Sequence, residues 1–166
     1  MSWIDRLNQT ISEWVRWATL FMVLITFVIV ILRYGFNLGW IGVQESVMYL
    51  HCMVFLLGAA YSLQKGEHVR VDIFYRSFSD RGRAWVDLFG TLFLLVPVNL
   101  FILSVSWKYV MDSWALFEVS PETGGLPLVF ALKTLLLLFA GLMLLQGLSE
   151  IVRNLKVLRT MEKQHD

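Results

Sequence analysis

Residues 88–107 read LFGTLFLLVPVNLFILSVSW, twenty consecutive positions without Asp, Glu, Lys or Arg. A helix of roughly 17–25 apolar residues crosses a ~30 Å hydrocarbon core, so this stretch predicts a transmembrane helix. Three further charge-free stretches lie on either side of it, at 17–32, 46–64 and 134–149. The last is extended by the charge-free run Leu126 to Leu132, which is interrupted only by Lys133. The chain of 166 residues is 57% apolar and 16% charged, with a mean hydropathy of +0.64. A soluble domain carries about 25% charge. The reading is an all-α integral membrane protein of four helices, approximately 14–34, 45–64, 85–108 and 126–150. These form a single membrane domain over 1–166, with an interfacial loop at 65–84.

Orientation follows from the cations. Arg6, Arg16, Lys65, Arg70, Arg76, Arg81, Arg83, Arg153, Lys156, Arg159 and Lys163 fall on one side of a four-span chain, against Arg33 and Lys108 on the other. The positive-inside rule then places both termini and the 65–84 loop in the cytoplasm. The start of the chain does not read as a signal peptide, because Asp5, Arg6, Glu13 and Arg16 precede the first apolar run. Seven tryptophans, from Trp3 to Trp114, fall near predicted span ends, where indole rings favour the headgroup level.

Ile4, Leu7, Ile11, Trp14 and Ala18 recur at helical spacing, with charged residues on the other faces. They predict an amphipathic helix that runs into the first span and lies on the lipid interface or on a partner. Ile151, Leu155 and Leu158 extend the fourth span in the same way. Gly66 can cap the second span, Ser79 or Asp80 can cap the third, and Pro127 stands near the first turn of the fourth.

Ionisable groups at membrane depth are functional candidates by default. Glu45 and Lys133 have matching depths toward the outer leaflet, so an interhelical Glu45–Lys133 pair is expected, with Arg33 as a rival partner for the glutamate. Lys108 and Asp112 read as a surface pair. Asn99 predicts a hydrogen bond between helices and Pro97 a mild kink. His51 is the histidine within a span and is expected to hydrogen-bond inside the bundle. A bis-histidine haem would need a second facing histidine, and His68 and His165 lie in cytoplasmic segments. One cysteine, Cys52, excludes a disulfide framework and a CxxC pair. No catalytic constellation, cofactor or metal site is expected, so the chain does not read as an enzyme. A formal charge of +1 gives no case for nucleic acid.

Span two ends Phe55-Leu56-Leu57-Gly58-Ala59-Ala60-Tyr61 and soon continues as Lys65-Gly66-Glu67-His68-Val69-Arg70-Val71-Asp72. This resembles the hallmark of the small membrane subunit (DctQ type) of tripartite ATP-independent periplasmic (TRAP) transporters. Trp40 to Glu45, the run Glu122-Thr123-Gly124-Gly125-Leu126-Pro127, and Leu145-Gln146-Gly147 agree with it. Gln44 departs, standing where many relatives carry an acidic residue.

The resemblance implies a scaffold in the bacterial inner membrane, bound to lipid and to a large multi-span subunit. That partner would hold the substrate and sodium sites and move an organic acid anion, delivered by a periplasmic binding protein, in an elevator motion. Candidate structural or partner-interface residues are Glu45, Lys133, Arg33, Gly66, His68, Arg70, Asp72, Gly124, Gly125 and Pro127. Two other readings are a small homodimeric exporter with Glu45 as proton carrier and a membrane-anchor subunit of a respiratory complex. The cation asymmetry opposes the first, and the missing haem histidines oppose the second.

Overall fold

A computed structural model of the chain describes residues 2–67, 75 and 77–162. Helix α1 (Trp3–Phe36) begins at a capping box. Ser2 Oγ accepts from the Asp5 N–H at 3.2 Å, and the Ser2 N–H donates to Asp5 Oδ2 at 2.7 Å. Helix α2 (Ile41–Lys65) ends at Gly66, whose φ of 72° is left-handed. The Gly66 N–H bonds Leu63 O and the Glu67 N–H bonds Ser62 O, both at 3.0 Å, the paired pattern of a Schellman cap. Ser79 caps α3 (Asp80–Gly90) by accepting from the Gly82 N–H.

From α3 the chain runs through one π turn (Thr91–Leu95) into α4 (Val96–Ala115). In that turn the Val96 N–H reaches back to Thr91 O, just ahead of Pro97, which has no N–H to give. The irregularity expected at Pro97 is therefore a widened turn one residue earlier. Helix α5 (Val129–Glu162) completes the fold. Four helical stretches, with α3 to α4 as one, are long and apolar enough to cross a membrane. At 34 residues, α1 and α5 are each about 50 Å long and overhang a ~30 Å core.

Neighbouring helices follow the order α1–α2–α5–α4, and α1 also touches α5 where the termini lie. Helices α1 and α4 do not pack on each other. The small core consists of Ala60, Leu142 and Met143, with Ile11, Leu57, Leu63, Leu95 and Phe139 against it. Between 6% and 22% of each apolar window is buried within the chain. Val15, Val110 and Leu135 are buried as well, but many large apolar side chains face outward, which water would oppose and a bilayer accepts.

The terminal end of the bundle, where α1 starts, α2 ends, α3 starts and α5 ends, holds a buried polar lock. Asn8 Nδ2 donates to Gln146 Oε1 at 2.8 Å. Gln146 Nε2 donates in turn to Glu150 Oε1 at 3.1 Å, and Glu150 pairs with Arg153. Ser149 Oγ donates to Asp5 Oδ1 at 3.0 Å and lies 2.9 Å from Ser2 Oγ. Asn8, Gln146, Glu150 and Asn154 are buried, while Trp3, Trp14, Val152 and Leu155 are exposed. The α1 extension thus docks on the chain's own last helix. The inward side of the α1 extension mixes Asn8 with Ile11, Val15 and Ala18, and on α5 Gln146, Glu150 and Asn154 turn in, where an amide left unpaired would be costly. Asn99 also departs from expectation. It is buried, but its Nδ2 donates to Leu95 O on its own helix at 2.8 Å rather than across to another.

Gln146→Leu leaves Asn8 Nδ2 without its acceptor and Glu150 Oε1 without its amide donor, Arg153 still holding the other oxygen, and should lower unfolding free energy by about 1–3 kcal/mol. Thermal unfolding in detergent reads it. Asn8→Leu combined with Gln146→Leu should recover part of the loss, since the buried asparagine amide is then gone too.

Candidate functional site

Helix α2 starts after Trp40, which offers no capping side chain, so its first N–H groups need partners from elsewhere. The connection between α4 and α5 supplies one, because the Gly42 N–H donates to Gly124 O at 3.0 Å. Glu45, one turn on, holds the same connection from below. Ser120 Oγ donates to Glu45 Oε1 at 2.5 Å and the Leu126 N–H donates to Glu45 Oε2 at 2.6 Å. Within the connection the Gly125 N–H bonds Glu122 O at 2.9 Å and the Ser120 N–H bonds Leu126 O at 3.2 Å.

Two glycines make this geometry accessible. Gly124 has φ 82°, which disfavours a side chain, and a Cβ on Gly125 would sit 2.4 Å from Ser120 Oγ and 2.9 Å from Glu45 Oε1. Gly124 and Gly125 are therefore parts of a clip that fastens the far-end connection to α2. Pro127 stands two residues before α5, where it stops the helix from extending upstream.

The expected Glu45–Lys133 pair does not form. Lys133 pairs with Glu118, and its Nζ lies 3.9 Å from the Tyr109 ring centroid. One turn inside α5, the lysine reaches outward to the connection on the α4 side, whereas the Glu45 carboxylate is already held on α2. Trp114 Nε1 donates to Thr134 Oγ1 at 2.8 Å beside it, so the start of α5 is pinned to the end of α4. In the connection, the hydrogen bond from Lys133 holds the Glu118 carboxyl below its ordinary value of 4.5, against a smaller opposing effect of burial.

Arg33 makes no ion pair among the described residues. It lines an open recess with Asn37, Leu38, Gly39, Ile41 and Gln44, where α1 turns into α2. Gly66 is the left-handed cap of α2. His68, Arg70 and Asp72 lie outside the described residues. Lys108 and Asp112 pair on the surface at 2.6 Å, as expected. Among the described residues His51 makes no hydrogen bond within the bundle. It is exposed on α2 and stacks on Phe55 at a centroid distance of 6.3 Å.

Sequence reasoning missed Ser120, Glu118, Asn8 and Glu150. Gln146, Glu150 and Asn154 recur every fourth residue on α5, and that polar stripe in an apolar helix was the available signal for the lock. No comparable periodicity marks Ser120 or Glu118, since their contacts depend on how an irregular connection folds back.

The clip predicts a separation of effects. Glu45→Ala and Gly125→Ala should speed amide exchange at Leu126 and at Gly42, read by hydrogen exchange and mass spectrometry. Lys133→Met should leave both amides protected and loosen the segment around Glu118 instead. Because the folded-state value of Glu118 is lowered, its contribution is present above the ordinary value of 4.5 and is lost as pH falls through the folded-state value. The Glu118 segment should therefore exchange faster, relative to a pH-corrected reference peptide, in acid below that point, and Lys133→Met should abolish the pH dependence.

Residues 22–157 match the family described as Tripartite ATP-independent periplasmic transporters, DctQ component. The chain is also 30% identical over 86 residues to a protein of Haemophilus influenzae named "Putative TRAP transporter small permease protein". That match covers 52% of this chain and 53% of the relative, so the chain spans about half the length of the curated relative it matches. No solved structure matches the chain. The family match covers most of the chain and reaches into all four apolar helices, and the chain belongs to the DctQ family of multi-pass membrane components of TRAP transporters.

Proposed function

We propose that this chain is the bracing subunit of a secondary-active TRAP transporter in a bacterial inner membrane, with both termini in the cytoplasm. Its partners are a large multi-span membrane subunit and a periplasmic binding protein. The large subunit carries out sodium-coupled uptake of an organic acid anion. The observation that carries this reading is the open series α1–α2–α5–α4, in which the outer helices do not close around an interior. A series of that kind encloses no path for a solute and presents its apolar faces outward.

The two locks support the same reading. Each ties one end of the series together, so the assembly can stand still while a partner moves against it. Glu45, engaged by Ser120 and Leu126, does not suit a proton carrier of a self-contained exporter. A component of this family is a transporter part, and no catalytic role is proposed for it.

Two measurements test the proposal. A tagged chain, solubilised in mild detergent, should bring down a membrane protein of many more spans, identified by mass spectrometry; recovery of the tagged chain alone at high yield would contradict it. Reporter fusions at residues 3, 75 and 160 should read cytoplasmic, and fusions at 38 and 118 periplasmic, as the cation asymmetry requires. A periplasmic signal at 75 would overturn the proposed orientation.

A further inference from the structure

Helix α2 lies between α1 and α5, yet its apolar window is the least buried of the four, at 6%. From Ile41 to Phe55 its exposed residues fall on one seam: Ile41, Gln44, Met48, His51 and Phe55. The steps are three, four, three and four, the spacing by which a helix presents a continuous stripe to a second helix crossing at a shallow angle. Gly58 continues the seam, and a Cβ there would meet nothing within 4 Å in this chain. The recess that contains Ile41 and Gln44 opens at the upper end of the seam.

His51 decides what covers this seam. It lies about 9 Å below Glu45 along the helix axis, well inside the predicted span. Among the described residues its imidazole makes no hydrogen bond. Two exposed hydroxyls in other spans bond to their own helix: Thr26 Oγ1 donates to Met22 O at 2.7 Å, and Ser104 Oγ donates to Phe101 O at 2.8 Å. An imidazole reaches no carbonyl of its own helix in this way. Acyl chains offer it nothing, and an unsatisfied polar group in hydrocarbon is costly. The outward faces of α1 (Phe21, Leu24, Phe27, Val28, Ile31) and α4 (Val98, Phe101, Val105) present large apolar residues and suit lipid.

We infer that the Ile41–Gln44–Met48–His51–Phe55 seam of α2 is the docking surface for a transmembrane helix of the large subunit, and that this helix places a hydrogen-bonding group against His51. The inference rests on the bracing role proposed above. It adds which face of the chain meets the partner and which polar contact sets the register between them.

The test uses the complex of the tagged chain with its large subunit. A photo-crosslinking amino acid is placed at Met48 or Phe55 on the seam, and at Phe27 on α1 or Phe101 on α4 as controls. Adducts to the large subunit are expected from positions 48 and 55 and not from 27 and 101. His51→Leu should weaken assembly about threefold to tenfold, by analogy with interhelical hydrogen bonds in membranes, whereas His51→Asn should retain most of it. Lipid adducts alone from the seam, adducts to a second copy of this chain, or unchanged assembly of His51→Leu would each overturn the seam. Failure of the wild-type chain to recover any large subunit would overturn the bracing role itself, and the seam with it. Recovery of the large subunit with crosslinks only at 27 or 101 would overturn the seam alone.

Discussion

Hydrocarbon gives a polar group nothing to bond to, and the arrangement of this chain follows from that constraint. At the terminal end, Asn8, Gln146, Glu150, Ser149 and Asp5 turn inward and bond one another, while Trp3, Trp14, Val152 and Leu155 face out. A water-soluble helix buries an apolar stripe; here the inward face of α1 mixes Asn8 with Ile11, Val15 and Ala18. Here apolar burial contributes little to holding the helices together, because lipid is as apolar as the core, so hydrogen bonds and close contacts have to do so. The small core around Ala60, Leu142 and Met143 fits that view.

The far end solves a different problem with the same means. A helix that starts at Trp40 leaves N–H groups open, and an irregular connection of a dozen residues leaves its own. Each meets part of the other's need: Gly124 O takes the Gly42 N–H, and the Glu45 carboxylate takes the Leu126 N–H and the Ser120 hydroxyl. The Lys133–Glu118 pair fixes the α4 side of the same connection. The α1–α2 half and the α4–α5 half are thus tied at both ends. Rigidity of this kind suits a subunit against which another one moves. The imidazole of His51, exposed on a lipid-depth face and without a hydrogen bond among the described residues, marks where we infer that the chain meets its partner.

Much of this was legible in the sequence, for identifiable reasons. Charge-free runs of sixteen to twenty residues fix helices because no other open structure satisfies its backbone in lipid. Gly66 and Ser79 act as the caps their residue types suggested, because caps are local. The polar contacts were read less well. Glu45 and Lys133 were paired by depth alone, yet depth says nothing about which side of a helix a residue occupies or whether a closer partner waits in a connection. Asn99 is read as bonding a neighbouring helix and His51 as hydrogen-bonded within the bundle; one turns back to its own backbone and the other faces out. Periodicity located the overhanging extensions but did not say which face is buried, since apolar faces are drawn inward in water and outward in lipid.

A bracing subunit supports a transporter and does not itself transport. The most direct measurement is uptake of a radiolabelled organic acid into proteoliposomes holding this chain alone, the large subunit alone, or both, with the binding protein and a sodium gradient supplied in each case. Saturable, sodium-dependent uptake with both membrane subunits, and none with this chain alone, is the predicted result. Saturable uptake by this chain alone would contradict the account.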